Sequence, residues 1–215
     1  MPDTRKSPTV PSAPIIFIVD DDLSMREALI DLFRSMKFEV EAFESAPALM
    51  QAVNFNRPGC ILLDVRLPGV SGLDFQVHLE RLGSKMPIVF MTGYGDIPMS
   101  VRAMKAGAVD FLTKPFKDQD VLDAVAAALE RDAAHRRLSA QSEAIVALAE
   151  HLTPREREVM KAVVKGLMNK QIAHELGISE VTVKLHRGNV MRKMEARSVA
   201  ELVRKAEVLG EELTP

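Results

Sequence analysis

Short apolar runs alternate with helix-like segments over the first 125 residues of the chain. Four runs rich in Ile, Val, Leu and Phe predict strands at residues 15–19, 60–63, 87–91 and 109–112, and residues 38–43 predict one further strand. Apolar runs of this length, bounded by turn-forming residues, are typical of buried strands. Strands that alternate with helices favour a parallel sheet with helices on both faces. The pattern therefore predicts an α/β domain.

Between these runs, apolar residues at helical spacing predict five helices. The first begins at a capping box, Ser24 to Glu27. Three more cover residues 46–53, 72–82 and 97–106, and Gly107 follows the last of them at a position that glycine favours. The fifth starts at residue 117, and its polar stretch 131–137 is expected to face solvent. The expected inward positions of the first and fifth helices are Ala28, Leu29, Leu32, Phe33, Val121, Leu122, Val125 and Leu129.

The fifth helix has no obvious end before residue 152. Because there is no Gly or Pro between residues 117 and 152, we expect an extended helical connector and not a flexible linker. Leu138, Ile145 and Leu152 recur every seven residues, which makes a short heptad. Two interpretations stay open: a dimerising coiled coil, and a helix that packs against its own domains.

The last 65 residues predict a small helical domain. Thr153, Pro154 and Glu156 form a strong helix start, and Gly166 ends that helix. A helix at 169–176, a turn at 177–179 and a longer helix at 180–195 follow, and Ser198 caps a fourth helix. Two helices joined by a tight turn predict a helix-turn-helix. The residues expected to pack in its core include Val181, Val183, Leu185, Val190 and Met194.

Polar residues with complementary chemistry follow four of the predicted strands. They are Asp20 to Asp22 after the first strand, Asp64 after the third, Thr92 after the fourth and Lys114 after the fifth. The carboxyl ends of parallel strands share one crevice. Taken one at a time, these residues are ordinary: an acidic turn can cap a helix, and a lysine is common in a loop. Together they can hold a divalent cation and a phosphoryl group.

Composition limits the class of protein. A chain of 215 residues that is 47% hydrophobic suits one large or two modest domains. Lys and Arg number 13 against 16 Asp and Glu in residues 1–120, but 12 against 9 in residues 151–215, which fits a cation site followed by a polyanion-binding domain. The single cysteine, Cys60, excludes a disulfide framework. Residues 1–14 predict a disordered tail, and the following apolar run is too short for a signal peptide or membrane span, so a cytoplasmic protein is expected.

The first domain carries a family resemblance. The segments VDDD, LLDVRLPG and VFMTGYGDIPMSVRAMKAGAVDFLTKPF resemble the receiver domain of FixJ-type two-component response regulators. The resemblance covers residues 15–125 and implies a five-stranded, doubly wound, flavodoxin-like sheet. It also implies that Asp64 is the phospho-acceptor, Thr92 the switch hydroxyl, Lys114 the ion-pairing lysine and Phe111 the switch aromatic residue. The implied ligands of Mg²⁺, or of a similar cation such as Mn²⁺, are Asp20, Asp21, Asp64 and the backbone carbonyl of Arg66.

The implied chemistry is a single phosphoryl transfer. A carboxylate can act as a nucleophile, but a cation must bring it close to an anionic donor. A phosphatase of the haloacid dehalogenase type uses similar residues, but it needs a second acid two residues after the nucleophile. That position is Arg66 here, which cannot act as a base and is expected to shield the acyl phosphate. We therefore expect no enzymatic turnover beyond slow self-dephosphorylation.

The second domain resembles the LuxR-type DNA-binding domain. The segments LTPREREVMKAVVKGLMNKQIAHELGISEVTVKLHRGNVMRKM and RSVAELVRKA carry this resemblance over residues 151 to about 209. Lys184 is the expected base reader, and Arg187 and Lys193 are expected at phosphates. Gly188 stands where some family members have a base-contacting lysine. A sigma-factor-like module, which has a similar helix-turn-helix, is the alternative. The implied DNA-binding set is Lys184, Leu185, His186, Arg187, Asn189, Arg192 and Lys193.

The two resemblances divide the chain and imply its partners. The expected parts are a tail at 1–14, a receiver domain at 15–125, a helical linker at 126–150 and a DNA-binding domain at 151–215. The implied function is transcription control in a two-component system. The implied partners are a sensor histidine kinase, promoter DNA and a second copy of the chain after phosphorylation, with RNA polymerase as a further candidate.

Overall fold

The computed structural model describes residues 13–69, 71–93 and 97–210. Most of the predicted tail and the last five residues of the chain lie outside these ranges. The chain forms two compact units, residues Met1–His135 and Arg136–Pro215. The division falls inside one long helix, so the predicted linker at 126–150 is split: its first ten residues belong to the first unit.

The first unit is built on a five-stranded sheet. Its strands are β1 (Ile15–Val19), β2 (Glu39–Phe43), β3 (Gly59–Asp64), β4 (Ile88–Thr92) and β5 (Asp110–Thr113). All pairs are parallel, and the spatial order is β2-β1-β3-β4-β5. The chain leaves β1 in one direction to form β2 and returns to the other side to form β3, so a crevice opens beyond the carboxyl ends of β1 and β3. The predicted parallel α/β fold is confirmed.

Five helices cover the two faces of this sheet. They are α1 (Leu23–Ser35), α2 (Ala46–Ala52), α3 (Gly72–Arg81), α4 (Ile97–Lys105) and α5 (Asp118–Glu150). Side chains alternate along each strand. Ile16 and Ile18 of β1 therefore contribute to a cluster with residues of α1 and α5, whereas Ile15 and Phe17 contribute to a cluster with residues of α2, α3 and α4. The predicted inward residues Leu29, Phe33, Val121 and Val125 are buried.

The start of α1 differs from the prediction. Asp22 is the N-cap, because its carboxylate accepts hydrogen bonds from the backbone N–H groups of Ser24 and Met25. The capping box predicted from Ser24 to Glu27 is therefore wrong. Ala28, expected to face inward, is exposed. An aspartate at the N-cap is at least as favourable as a serine, and here it comes two residues earlier.

The expectation that residues 131–137 are solvated is wrong at Asp132. This residue of α5 is 3% exposed, and its carboxylate accepts a hydrogen bond of 3.0 Å from the backbone N–H of Gly59 at the start of β3. Asp132 lies four residues after the buried Ala128, so it continues the inward stripe of the helix. Burial first, and Asp132 second, raise the pKa of Cys60 to about 12, which leaves that thiol protonated.

The second unit packs four helices against the end of α5. They are α6 (Pro154–Val164), α7 (Asn169–Leu176), α8 (Glu180–Lys193) and α9 (Val199–Val208). Ile145 and Leu152 pack into the same core, which leaves Leu138 exposed. Two of the three heptad residues are thus used within the unit, so packing of the helix against its own domain is confirmed for them. No helix within the described residues is long and apolar enough to span a membrane.

The capping residues in the sequence correctly predicted where helices of the second unit begin. Thr153 and Glu156 form the predicted capping box, and Ser179 caps α8 through its hydroxyl. Gly177 adopts a left-handed conformation, with φ of 63°, in the turn between α7 and α8. The predicted core is correct for Val183, Val190 and Met194. It is wrong for Val181 and Leu185, which are 77% and 64% exposed.

Candidate functional site

Three carboxylates meet at the crevice beyond β1 and β3. Val19 pairs with Leu63, so the residues that follow, Asp20 and Asp64, lie side by side at the same edge of the sheet. With Asp21 they offer one oxygen atom each, and these atoms lie within 4.8 Å of one another. Asp20 and Asp64 are buried and Asp21 is exposed. Adjacent parallel strands thus create a concentration of negative charge that is open on one side.

Lys114 reaches this cluster from the end of β5. Its Nζ lies 2.6 Å from Oδ2 of Asp20 and 2.5 Å from Oδ2 of Asp64. Its backbone N–H donates to the carbonyl of Thr92 at 2.7 Å, which extends the pairing of β5 with β4 and aims the side chain across the strand ends. The structure brings together the predicted acids and the predicted lysine. One ammonium faces three carboxylates, so negative charge remains in excess.

Burial and hydrogen bonding shift the pKa values of Asp20 and Lys114. Burial raises the pKa of Asp20 above its ordinary value, and the hydrogen bond from Lys114 opposes this only in part. Burial alone would lower the pKa of Lys114, but its hydrogen bonds to Asp20 and Asp64 raise it overall. The lysine therefore stays charged, while burial disfavours the charged form of Asp20. A further cation at this point would be favourable.

The donor set suits a hard divalent cation. Carboxylate oxygens are the ligands that Mg²⁺ takes from proteins, usually one or two together with water and substrate oxygens. Three carboxylates against one ammonium leave a formal charge of −2, which matches Mg²⁺. The residues therefore fit the predicted cation. The carbonyl of Arg66 remains a predicted ligand, whereas its N–H donates to Oδ1 of Asp64 at 2.8 Å.

A cleft beside the carboxylates has room for a phosphoryl group and its donor. It has a volume of about 590 Å³. The residues that line it include Asp21, Val65, Arg66, Leu67, Pro68 and Met99. Arg66 is exposed at its rim. Its side chain is thus on the side from which water or a donor would approach Asp64.

The two predicted switch residues lie on the strands next to this site. Thr92 ends β4 and is fully buried. Phe111 of β5 is partly buried, and its ring packs against that of Phe90 with the centroids 6.4 Å apart. The structure places Thr92 at the same edge of the sheet as Lys114, and Phe111 lies inside β5, paired with Phe90. Sequence reasoning missed Arg26, whose guanidinium donates to the carbonyl of Asp20 at 2.6 Å and steadies the acidic turn.

Helix α8 of the second unit presents the predicted nucleic-acid interface. Lys184, Leu185 and Arg192 are exposed, whereas His186, Arg187 and Asn189 are partly buried. Arg187 donates to the Asn169 side chain at 2.9 Å, which ties α8 to α7. The exposed face combines cations with aliphatic side chains. This combination suits a major groove, where phosphates and base edges are both within reach.

Lys193 differs from the other members of the predicted DNA-binding set. We expected an exposed cation, but it is only partly exposed and its Nζ lies 2.6 Å from Oε2 of Glu156. Glu156 is 3% exposed. A buried partner 37 residues away in the sequence already pairs with Lys193, and the contact of Lys193 with a DNA phosphate stays a prediction.

Comparisons with known proteins assign both units. A family model described as "Response regulator receiver domain" matches residues 16–126, and one described as "Bacterial regulatory proteins, luxR family" matches residues 150–206. Nodulation protein W of Bradyrhizobium diazoefficiens is 57% identical over 91% of this chain and 86% of its own length. Transcriptional regulatory protein FixJ of the same organism is 42% identical over 89% of this chain and 93% of its own.

A solved structure agrees with these sequence matches. The low-resolution structure of response regulator StyR has a TM-score of 0.82 and 48% identity, and the match covers 91% of this chain and 99% of that one. The similarity spans both units and the acidic and helix-turn-helix motifs within them. The chain therefore belongs to the response regulators that join a receiver domain to a LuxR-type DNA-binding domain, and it is a transcriptional regulator of that family.

Proposed function

We propose that the chain regulates transcription through phosphorylation of Asp64 by a sensor histidine kinase. In this proposal Mg²⁺ assists the transfer, the receiver domain then changes conformation, and two copies of the chain bind promoter DNA. The observation that carries it is the contact of one lysine with two buried carboxylates, Asp20 and Asp64, at the carboxyl edge of the sheet. A structural ion pair needs one carboxylate, whereas phosphoryl transfer needs a nucleophile, acids for a cation and a positive charge.

The residues divide the work of the transfer. An oxygen of Asp64 forms a bond to phosphorus as the bond from phosphorus to the kinase histidine breaks. The N–H of Arg66 and the ammonium of Lys114 hold the Asp64 carboxylate in place. When bound by Asp20, Asp21 and Asp64, Mg²⁺ would neutralise the repulsion between the carboxylate and the phosphoryl oxygens. For a loose transition state, positioning and electrostatics of this kind supply most of the catalysis.

We further propose one phosphoryl uptake per chain and not repeated hydrolysis. Turnover needs a group near Asp64 that activates water. The side chain two positions after the nucleophile is the exposed guanidinium of Arg66, which has no acceptor for a proton. The acyl phosphate therefore persists long enough to act as a signal.

The signal is proposed to act through Thr92 and Phe111. Phosphoryl oxygens on Asp64 would draw the Thr92 hydroxyl toward them and open space for the Phe111 ring, which already packs against Phe90. Only contacts that differ between the two states can shift their equilibrium. The surface of α4 and β5 would then repack and favour a homodimer. Contact with RNA polymerase stays a prediction.

In DNA binding, α8 is proposed to lie in the major groove. Lys184, near the start of the helix and exposed, is placed to reach an acceptor edge of a base. Arg192 is exposed about two turns further on and is suited to a phosphate. A dimer should prefer two symmetry-related half-sites roughly one helical turn apart.

The proposal is tested by treating the purified chain with Mg²⁺ and a small phosphodonor, or with beryllofluoride as a phosphoryl mimic. We expect the phosphodonor to increase the intact mass by one phosphoryl group. We expect either reagent to raise the sedimentation coefficient and the affinity for DNA. Asp64→Asn is the matched control and should take up none. Undiminished stoichiometric phosphorylation of that variant would refute the acceptor, and equal sedimentation and DNA affinity with and without beryllofluoride would refute the switch.

A further inference from the structure

The carboxyl end of α8 is held by two lysines that point into the protein. Lys193 lies 2.6 Å from Glu156 and also donates to the carbonyl of His151 at 3.1 Å. Lys205 of α9 donates to the carbonyls of Met194 and Glu195, at 2.9 and 3.0 Å, which are the last carbonyls of α8 and its turn. These contacts use two of the three N–H groups that each lysine carries.

Glu156 joins the Lys193 contact to the start of α6. Its Oε2 accepts from the backbone N–H of Thr153 at 2.9 Å and from Lys193 at 2.6 Å. Burial alone would raise the pKa of Glu156, but the hydrogen bonds from Lys193 and Thr153 lower it. The carboxylate is therefore charged at neutral pH, and the first turn of a helix favours a negative charge.

Apolar packing and an ion pair both hold the carboxyl end of α8. Val190 and Met194, on either side of Lys193 along the helix, are buried, but aliphatic contacts are not directional. A charged hydrogen bond is directional and short. The ion pair between Lys193 and Glu156 therefore joins the last turn of α8 to the first turn of α6 and holds the two helices in one orientation.

We infer that Lys193 is a positioning residue for the DNA-reading helix and that it acts through Glu156, not through DNA phosphates. The inference rests on the proposed binding of DNA by α8. It reassigns one cation of the predicted DNA-binding set, and it adds Glu156, a buried acid that cannot touch DNA, to the residues on which sequence reading depends. Arg192, its exposed neighbour, keeps the role of a phosphate contact.

A phosphate contact and a positioning residue predict different dependences of DNA affinity on salt concentration. Each phosphate contact contributes about 0.9 to the slope of log affinity against log salt concentration. A positioning residue leaves that slope unchanged, because the number of phosphates neutralised stays the same. Instead it lowers the ratio of specific to non-specific affinity, since the base-reading side chains are displaced. We expect this ratio to fall roughly tenfold, the equivalent of about one base contact.

The experiment uses the full chain treated with beryllofluoride and two duplexes. One is selected from a random pool by the wild-type chain, and the other is a random sequence of the same length. Affinity is measured from low to moderate salt at a temperature at which circular dichroism shows every variant to be folded. The four single variants are Lys193→Met, Lys193→Arg, Glu156→Gln and, as the exposed control on the same helix, Arg192→Met.

Lys193→Met and Glu156→Gln should each lower the specificity ratio and leave the slope unchanged. A fifth variant that combines Lys193→Met with Glu156→Gln should be no worse than either single one, because both substitutions remove the same contact. Lys193→Arg should restore most of the ratio, and Arg192→Met should flatten the slope by about 0.9 for each protomer of the bound dimer, with the ratio intact. Glu156→Gln keeps a capping acceptor for Thr153, so it carries the test if Lys193→Met does not fold.

Two results would overturn the inference while DNA binding stands. In the first, Lys193→Met flattens the slope by about 0.9 for each protomer of the bound dimer and leaves the ratio intact, which makes Lys193 a phosphate contact. In the second, Lys193→Met and Glu156→Gln lose thermal stability but keep the wild-type ratio of specific to non-specific affinity, which makes the ion pair a stabilising contact only. If the wild-type chain itself binds neither duplex, the proposed function fails, and the inference fails with it.

Discussion

Replacing Lys114 with Met would leave two neighbouring carboxylates without their ammonium. Lys114 donates to Asp20 and Asp64, which are 0% and 6% exposed. Removing one partner of a buried ion pair costs about 3–5 kcal/mol, and a hydrogen bond to a charged group contributes about 1.5–3 kcal/mol. Since the Lys114 side chain is 16% exposed and water can reach the vacated position, we take the lower end. Lys114→Met should lower the free energy of unfolding of the receiver domain by about 3 kcal/mol at neutral pH.

The loss should depend on pH in a defined direction. The pKa of Asp20 is raised above its ordinary 3.8, mainly by burial, and removing Lys114 should raise it further. A carboxyl with a higher pKa in the folded state stabilises that state fully below the unfolded pKa, and this contribution is lost as pH rises through the folded pKa. Protonation at low pH also removes the unpaired charge. The difference between variant and wild type should therefore be largest at neutral pH and should shrink as the pH falls toward 4.

Urea unfolding followed by tyrosine fluorescence measures this difference. The chain has one tyrosine, Tyr94, in the sequence of the first unit, and no tryptophan, so the signal reports on the receiver domain. Lys117→Met, an exposed lysine three residues away, is the matched control and should change the unfolding free energy little. Equal losses for Lys114→Met at pH 5 and pH 7, or no loss at pH 7, would refute the electrostatic argument.

Four other predictions concern the cation site, Arg66 and helix α8. Mg²⁺ at a hundred times its dissociation constant should stabilise the receiver domain by about 2.7 kcal/mol, seen as a higher urea midpoint. Asp21→Ala should weaken the stabilisation by Mg²⁺. Asp22→Ala should lose about 1 kcal/mol of helix-capping free energy and should keep the stabilisation by Mg²⁺. Lys184→Ala should cost about 1–3 kcal/mol of DNA binding and relax one position of each half-site, so an equal loss on random duplex would contradict base reading. Arg66→Asn should speed loss of the phosphoryl group, and an unchanged half-life would leave Arg66 as a surface cation.

The acidic site could be predicted from the sequence because its parts lie at the ends of strands. Each strand is marked by its own apolar run, and parallel pairing brings all the carboxyl ends to one edge. Once the strands were recognised, Asp20 and Asp64 had to lie together, and they do. The helix starts at Thr153 and Ser179 were equally accessible, since a cap involves residues only three apart.

The helical spacing of Asp132 indicates an inward position, but the polar composition around it favoured the opposite prediction. The polar stretch around it suggested solvent, yet its spacing from Val125 and Ala128 continues the inward face of α5. A buried carboxylate needs a partner, and here the partner is the N–H of Gly59, 73 residues away. The sequence shows the helical face of a residue but does not show which backbone group that face will meet.

The sequence by itself determined the order of strands and helices, most helix ends and the identity of the residues that crowd the crevice. These depend on local hydrogen bonds and on the periodic burial of neighbouring residues. Only the tertiary structure decided which cations of α8 are free. Val181, Val183 and Leu185 are all aliphatic, and only the packing of α8 against α6 and α7 decides that Val183 is buried and the other two are exposed. Lys193 differs from Arg192 because Glu156 lies where it can pair with Lys193. The physical reason is that burial and ion pairing of a side chain depend on the direction in which a helix faces its neighbours, and that direction is set by contacts between residues far apart in the chain.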